Sequence, residues 1–247
     1  MKHVTLPVDT LRPLPFYLAL EEWVATELPE DDWFFTWQAP DAVIIGRHQD
    51  LHAEVDTDFC LREGIAVYRR RSGGGAVFAD SGNLMFSFVT ARSESLANAF
   101  AGFTTMLAGM LRTLGIDAAP GGRNDIYIGG AKVSGCAAYS LGNRKIAHGT
   151  MLHSVDTRRM AGALTPSRAK LARHGVSSVE ARVTALSRHT TLSLAELRAR
   201  AIATLTDGER CLTPAEVARV EALSQHYYDP QWTEGTALRH LINTITV

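Results

Sequence analysis

Apolar positions recur with period two in several short stretches and with period 3.6 in one long one, and this change of period divides the chain. "WFFTWQ" (33–38) and "DAVIIG" (41–46) predict two β-segments around Ala39-Pro40, a hairpin-like punctuation. "GIAVYRR" (64–70) predicts a strand running straight into three glycines. "NLMFSFVT" (83–90) predicts another, with Leu84, Phe86 and Phe88 on one face. From Ser95 the period lengthens. Leu96, Phe100, Phe103, Leu107 and Leu111 form one helical stripe, with Gly115 placed as its C′ residue. A second β-rich block follows, "NDIYIGGAKVSG" and "RKIAHGTMLHSV", the first folded about Gly129-Gly130 as a hairpin turn. The last third is helical and more polar. "SLAE" (193–196) and "TPAE" (213–216) both fit a capping box, and Pro214 suits the first helical position. A strand block, a helix, a second strand block and then helices predict an α+β fold, not an alternating βαβ sheet. With no internal repeat and no Pro-, Gly- or Ser-rich linker, residues 1–247 read as a single domain with a helical C-terminal region at about 191–235.

Composition narrows the partners. Of 247 residues 46% are hydrophobic, enough for a sizeable core, and the formal net charge of −1 offers no global basic field for nucleic acid. Cys60, Cys136 and Cys211 are widely spaced with no CxxC pair, which suits a reducing compartment better than a disulfide framework. Near the N-terminus Pro13, Pro15, Glu21 and Glu22 interrupt any apolar targeting segment, and no window is apolar enough to span a membrane. A cytoplasmic protein is the expectation.

Three stretches carry candidate chemistry. "RRRSGGGAVFADSGN" (69–83) sets three glycines after three arginines, between two apolar strands. Consecutive glycines lose much entropy on folding, so either the backbone turns tightly there or a ligand comes too close for a Cβ. Successive N–H groups from Ser72, Gly73, Gly74 and Gly75 can converge on an anion, and Arg suits phosphate or carboxylate. The run is neither a Walker loop nor a dinucleotide fingerprint. In "GRNDIYIGGAKVSG" (122–135), Asn124 and Asp125 can hold a hard cation such as Mg²⁺. Lys132, between Ala131 and Val133, can act as a point charge in an apolar setting, or be an ordinary solvated strand lysine. In "AHGTMLHSVD" (147–156), His148 before Gly149 and Thr150 can close a phosphate or carbonyl site through backbone N–H groups, while His153 reads as structural. No cluster has metal-ligand spacing for structural zinc.

Taken together, "VIIGRHQD", "YRRRSGGGAVFADSGNLMFSF", "GRNDIYIGGAKVSGCA", "HGTML" and "GVSSVEARVTAL" resemble the lipoate–protein ligase A family, in family order over roughly residues 15–190. The later "YYDPQW" (227–232) looks like the end of that family's large domain. The resemblance implies a mixed β-sheet flanked by helices, the catalytic-domain fold of biotin and lipoate ligases and octanoyltransferases, related to class II aminoacyl-tRNA synthetases. It also implies a two-step reaction. Lipoate and Mg²⁺-ATP give lipoyl-adenylate and pyrophosphate, and the adenylate then acylates a lysine on a carrier domain, either a 2-oxoacid dehydrogenase E2 or the glycine-cleavage H protein. Carried over residue by residue, Gly73 to Gly75 with Ala76, Val77 and Phe78 would line the adenylate pocket, while Arg70 and Ser72 would hold phosphate. Lys132 would be the catalytic cation touching the lipoate carboxylate and the α-phosphate, with Ser134 and Gly135 beside it. Asn124 and Asp125 would orient phosphate and Mg²⁺, and Gly149 and Thr150 would close the nucleotide side. Trp37 and Val43 to Ile45 would wall the acyl chain, and Arg69 and Arg71 would be solvated or structural.

Three departures shape the expectation. The pattern stops soon after Trp232, which implies the large domain without its C-terminal accessory domain, and hence an accessory subunit as partner. Cys136 stands where the family usually has serine, and Tyr139 where it often has arginine. Cys136 brings an alternative activity, octanoyl or lipoyl transfer through a cysteine thioester without ATP. Against it, Cys136 among Ser134, Gly135, Ala137 and Ala138 reads as a small packing residue. A second alternative is a non-catalytic subunit that binds lipoyl-adenylate.

Overall fold

The segment Asn83–Thr90 is buried along its whole length, because each of its faces meets a helix. Leu84, Phe86 and Phe88 join Phe103, Leu107 and Leu111 in one apolar cluster, while Met85 and Val89 join Leu18, Trp23 and Val24 in another. This is the period-two alternation of a strand buried on both sides. The computed structural model describes residues 1–91, 95–121, 124–165 and 182–235. Its strands are β1 (Lys2–Thr5), β2 (Trp33–Trp37), β3 (Ala42–Ile45), β4 (Ala66–Arg69), β5 (Val77–Ala79), β6 (Asn83–Thr90), β7 (Ala118–Gly121), β8 (Asp125–Ile128), β9 (Ala131–Leu141), β10 (Arg144–Leu152) and β11 (Gly208–Cys211). Its helices are α1 (Leu14–Glu27), α2 (Leu51–Glu54), α3 (Thr57–Glu63), α4 (Leu96–Thr113), α5 (Thr157–Ala163), α6 (Leu194–Leu205), α7 (Pro214–Ser224) and α8 (Pro230–Glu234).

Eight strands form one mixed sheet in the order β11-β1-β2-β6-β10-β9-β8-β7, and β4-β3-β5 form a second. In the large sheet β1 runs parallel to β11 and β2, and the remaining pairs are antiparallel. Helix α1 covers one face, α4 and α6 the other, so the sheet is flanked by helices as expected. Ser95 caps α4, and Gly115 follows its C-cap at φ +78. Both capping boxes form, Ser193 with Glu196 and Thr213 with Glu216. Gly129 and Gly130 have positive φ at the β8–β9 turn.

Some expectations are corrected. The segments around Ala39-Pro40 are not hairpin partners. Both edges of β2 are taken by β1 and β6, so β3 pairs with β4 and β5 in the other sheet. The region 191–235 is helical except for β11, which satisfies the open edge of β1. Helix α1 was not apparent in the sequence, since it is buried nearly all round and has little amphipathic period to detect. The "GR" of residues 122–123 and the "GVSSVEA" of 175–181 lie outside the described residues.

The glycine run is also not a simple turn between neighbouring strands. Since β3 lies between β4 and β5, the loop must cross over the end of β3. The crossing is tight at Gly46, just after β3, where an added Cβ would sit 2.2 Å from the Gly74 carbonyl oxygen. Gly74 itself adopts φ +93, whereas Gly73 has open space around it. The three glycines are therefore unequal. Gly46→Ala is expected to lower stability by about 1–3 kcal/mol, as overpacking against backbone does, and Gly73→Ala to change it by roughly ±0.5 kcal/mol, as at ordinary surface sites. Urea unfolding of the two variants checks the contrast, and equal losses would contradict it.

Candidate functional site

A cavity of about 260 Å³ opens on the α1 side of the sheet. Its lining follows the strand order. Trp37 comes from β2, Met85 from β6, His148 and Thr150 from β10, Lys132 and Gly135 from β9, and Asn124 stands just before β8. Polarity therefore changes across the sheet. Leu18, Trp37, Ile44 and Met85 make the β2–β6 end apolar, and Lys132, Asn124 and Arg182 make the β8–β9 end polar and cationic. With neighbouring strands roughly 4.8 Å apart, the steps from β2 to β8 carry the lining over about 19 Å. Trp37 is held flat by stacking on Tyr17, with ring centroids 4.7 Å apart.

At the cationic end one carboxylate organises the charges. Asp125 is buried. Its Oδ1 lies 2.7 Å from Lys132 Nζ, and its Oδ2 accepts from Arg182 Nη2 at 2.9 Å and from the Tyr127 hydroxyl at 3.0 Å. A backbone bridge keeps the two cations side by side: Val183 pairs with Lys132, and the Thr184 N–H donates to the Lys132 carbonyl. Burial pulls the Lys132 amine below its usual range, with Asp125 pulling the other way. Gly135 gives the amine its space, since an added Cβ would lie 2.6 Å from Lys132 Nζ.

The loop wall is built differently from expectation. Arg70 donates from Nε to Ser72 Oγ, from Nη1 to the Ile44 carbonyl, and from Nη2 to the carbonyls of Gly73 and Gly75. Three of its five N–H groups thus brace the loop and a fourth ties it to β3, which leaves one for a ligand. Arg69 bonds the carbonyls of Gly46, Arg47, Gln49, Trp232 and Thr233, and Arg71 pairs with Glu22 at 2.7 Å. Burial lowers the Arg70 guanidinium to about 10, with Glu21 opposing the shift.

Of the residues singled out in the sequence, Arg70, Gly75, Ala76, Val77, Asn124, Lys132, Gly135, Gly149 and Thr150 border the cavity, as do Trp37 and Ile44. Ser72 and Ser134 do not; both are completely buried. Gly73, Gly74 and Asp125 do not border it either; Gly74 is exposed, and Asp125 is buried beside Lys132. Phe78, with Val43 and Ile45, faces a third apolar cluster on the other side of the small sheet. Alternation along β3 sends Ile44 one way and its neighbours the other. His153 is structural, bonding the Leu192 carbonyl. Asp125 has three partners on its two oxygens, Lys132 on Oδ1 and Arg182 with Tyr127 on Oδ2. Sequence reasoning missed Arg182, Leu18, Met85 and the buried Glu21. The only available signal for Glu21 was an acidic pair inside an otherwise apolar run.

Cys136 also borders the cavity, but its thiol is buried and 3.6 Å from Ser134 Oγ. Burial pushes it up to about 12, so it remains a thiol at neutral pH.

Residues 13–206 match the family described as the lipoyl protein ligase A/B catalytic domain. The chain is 31% identical over 230 residues to a probable lipoate-protein ligase A of Mycoplasma pneumoniae, covering 89% of this chain and 68% of the relative. It is 39% identical over 167 residues to lipoate–protein ligase 1 of Staphylococcus aureus, covering 67% of this chain and 51% of the relative. The chain therefore spans about two thirds of the first relative and half of the second. Among solved structures, it resembles a bi-partite lipoate protein ligase of Thermoplasma acidophilum, described with its E2 lipoyl domain, at TM-score 0.83 and 26% identity over 95% of this chain and 96% of that one. It also resembles a lipoate-protein ligase A bound with ATP at TM-score 0.82 and 26% identity, over 95% and 99% of the two chains.

The state of the thiols is directly testable. Burial pushes Cys60 up to about 11, while Cys211 is exposed. Iodoacetamide at pH 8 on the native protein should label Cys211 and spare Cys60 and Cys136, whose reactivity should rise only as the pH climbs toward their raised values. Rapid native labelling of Cys136, read by peptide mass, would reopen the thioester route.

Proposed function

Because the chain belongs to the lipoyl protein ligase A/B catalytic-domain family, we propose that it is a lipoate–protein ligase, joining lipoate to ATP and then to a carrier lysine. The observation that carries this reading is the cavity's polarity. A short acyl chain fits against Leu18, Trp37, Ile44 and Met85, with its carboxylate at Lys132. The ATP-bound ligase A structure supports a nucleotide alongside it.

In the first step a carboxylate oxygen attacks the α-phosphorus and pyrophosphate leaves with the bridging oxygen. Lys132 stands where it can neutralise both the incoming carboxylate and the pentavalent phosphorus, so it stabilises charge as that charge grows. The Gly75–Val77 backbone forms the wall against which the adenylate lies, and Gly149 and Thr150 bound it from β10. Arg70 acts mainly by holding this wall, with one N–H left for phosphate. In the second step the carrier lysine amine attacks the acyl carbon, and AMP departs with the carbon–oxygen electron pair. Mg²⁺ would arrive with the triphosphate, near Asn124. Asp125 already accepts from two cations, which fits it for tuning Lys132 better than for holding the metal.

The carrier expected is a 2-oxoacid dehydrogenase E2 domain or an H protein. The bi-partite Thermoplasma ligase supports a separate accessory subunit as a second partner. Free thiols at Cys60, Cys136 and Cys211 suit the reducing cytoplasm, and among the described residues no helix is long and apolar enough to cross a membrane. The buried Cys136 thiol speaks against transfer through a thioester.

Lys132→Ala should lower ATP-dependent lipoylation of a carrier domain by about 10²–10³-fold while leaving the melting temperature near that of the parent. The assay runs with ATP and free lipoate, with and without an accessory subunit, against octanoyl-carrier as the alternative donor. An unchanged rate in the folded variant, or transfer only from octanoyl-carrier, would refute the reading.

A further inference from the structure

Beneath the cavity a line of buried polar groups connects helix α1 to the glycine loop. Glu21 is completely enclosed, and both its oxygens lie within 2.9 Å of His148 Nδ1. His148 Nε2 lies 2.7 Å from Ser72 Oγ, which accepts from Arg70 Nε at 2.9 Å. On its other side Glu21 Oε1 accepts from the Ser87 hydroxyl at 2.6 Å, and Ser87 Oγ accepts from Trp37 Nε1 at 2.9 Å. His148 and Ser87 face each other across the β6–β10 pair, which sets this spacing.

The donors and acceptors assign the proton positions. Arg70 can only donate, so Ser72 receives it on a lone pair and has its own O–H to give. His148 Nε2 accepts that proton, and Nδ1–H donates to Glu21. This neutral tautomer leaves no member unpaired. A protonated ring would leave the Ser72 O–H without an acceptor in a buried site, a costly loss. It would also set two cations against one carboxylate. With His148 neutral, Arg70 and Glu21 are opposite charges at the two ends of a neutral bridge.

The same carboxylate–imidazole–hydroxyl order occurs in nucleophilic triads. Here Ser72 has no exposed surface and its lone pair is taken by Arg70, so the chain holds a structure and does not attack a substrate.

We propose that Glu21 and His148 are positioning residues: acting through Ser72 and Arg70, they hold the Gly73 and Gly75 carbonyls, and so the loop wall of the cavity, in their binding geometry. Arg70 links directly to the Gly73 and Gly75 carbonyls, and Gly75, Ala76 and Val77 form that wall. Glu21 does not border the cavity, so its effect on a ligand passes through its hydrogen-bonded partners, His148 toward the loop and Ser87 toward Trp37, and only the first route reaches the loop backbone. In its consequence for substrate the inference rests on the ligase reading; in its consequence for the loop it does not.

The experiment pairs the near-isosteric variants Glu21→Gln and Ser72→Ala, two residues that do not touch, with the double variant. Hydrogen exchange on the ligand-free protein should show the two amides that tie the loop down, Arg47 N–H on the Ser72 carbonyl and Arg70 N–H on the Ile45 carbonyl, exchanging about tenfold faster in each single variant, as expected for loss of a buried charge-assisted hydrogen bond, with β6, β9 and β10 unchanged. The double variant should be no faster than either single, because one chain has been broken twice. In lipoylation assays the KM for lipoate should rise by about tenfold in each, with kcat within about threefold. Unchanged loop exchange in folded Glu21→Gln, or effects that multiply in the double variant, would overturn the proposal. If Ser72→Ala fails to fold, Glu21→Gln alone decides through the same loop amides. A parent protein without lipoate-dependent activity would fault the ligase reading while the exchange data still judged the relay.

Discussion

Glu21 places a full negative charge inside the apolar packing of α1 against the sheet, and the cavity is arranged around the need to satisfy it. A carboxylate removed from water is tolerated only with donors on its oxygens and a compensating cation within reach. Ser87 and His148 supply the donors, and Arg70, two neutral groups away, supplies the cation. Because Ser87 also fixes the Trp37 indole, one carboxylate orients both the aromatic wall and the glycine loop. Its neighbour Glu22 takes a different set of partners, Arg71 and the Tyr227 hydroxyl.

The three arginines ahead of the glycines fit the same scheme. Each is anchored to a different part of the molecule: Arg69 to the 46–49 loop and the Trp232–Thr233 carbonyls, Arg70 to the loop's own carbonyls, and Arg71 to α1. A loop whose entropy would favour many conformations is thereby held from three directions. Ligand-binding backbone needs this kind of support, because a wall made of main chain has no side-chain packing of its own to keep it still. The cationic end of the cavity repeats the device with the signs exchanged. There one buried carboxylate, Asp125, holds Lys132 and Arg182 in place before any anion arrives.

Much of this was legible along the chain, though unevenly. The α4 stripe, the two-faced β6, the Gly129-Gly130 turn and both capping boxes are local patterns, and they appear as local physics requires. The motifs likewise brought Lys132, Asn124, Gly75 and Thr150 to one cavity. The errors share a cause. The β2–β3 hairpin failed because strand partners are chosen by free edges, which a local window cannot see. The bracing role of Arg70 and Ser72 was hidden because nothing local reveals that carbonyls and a histidine also claim their hydrogen bonds. Glu21 read as an interruption in apolar sequence because its partner lies more than a hundred residues away.

By itself, then, the sequence determined which residue types would be present at the site and the local geometry of the elements that carry them, since periodicity, capping and glycine turns act over a few residues. Tertiary structure alone decided which of those side chains face the ligand and which brace the wall. Hydrogen-bond capacity is finite, and only the folded neighbourhood settles which partner uses each donor and acceptor.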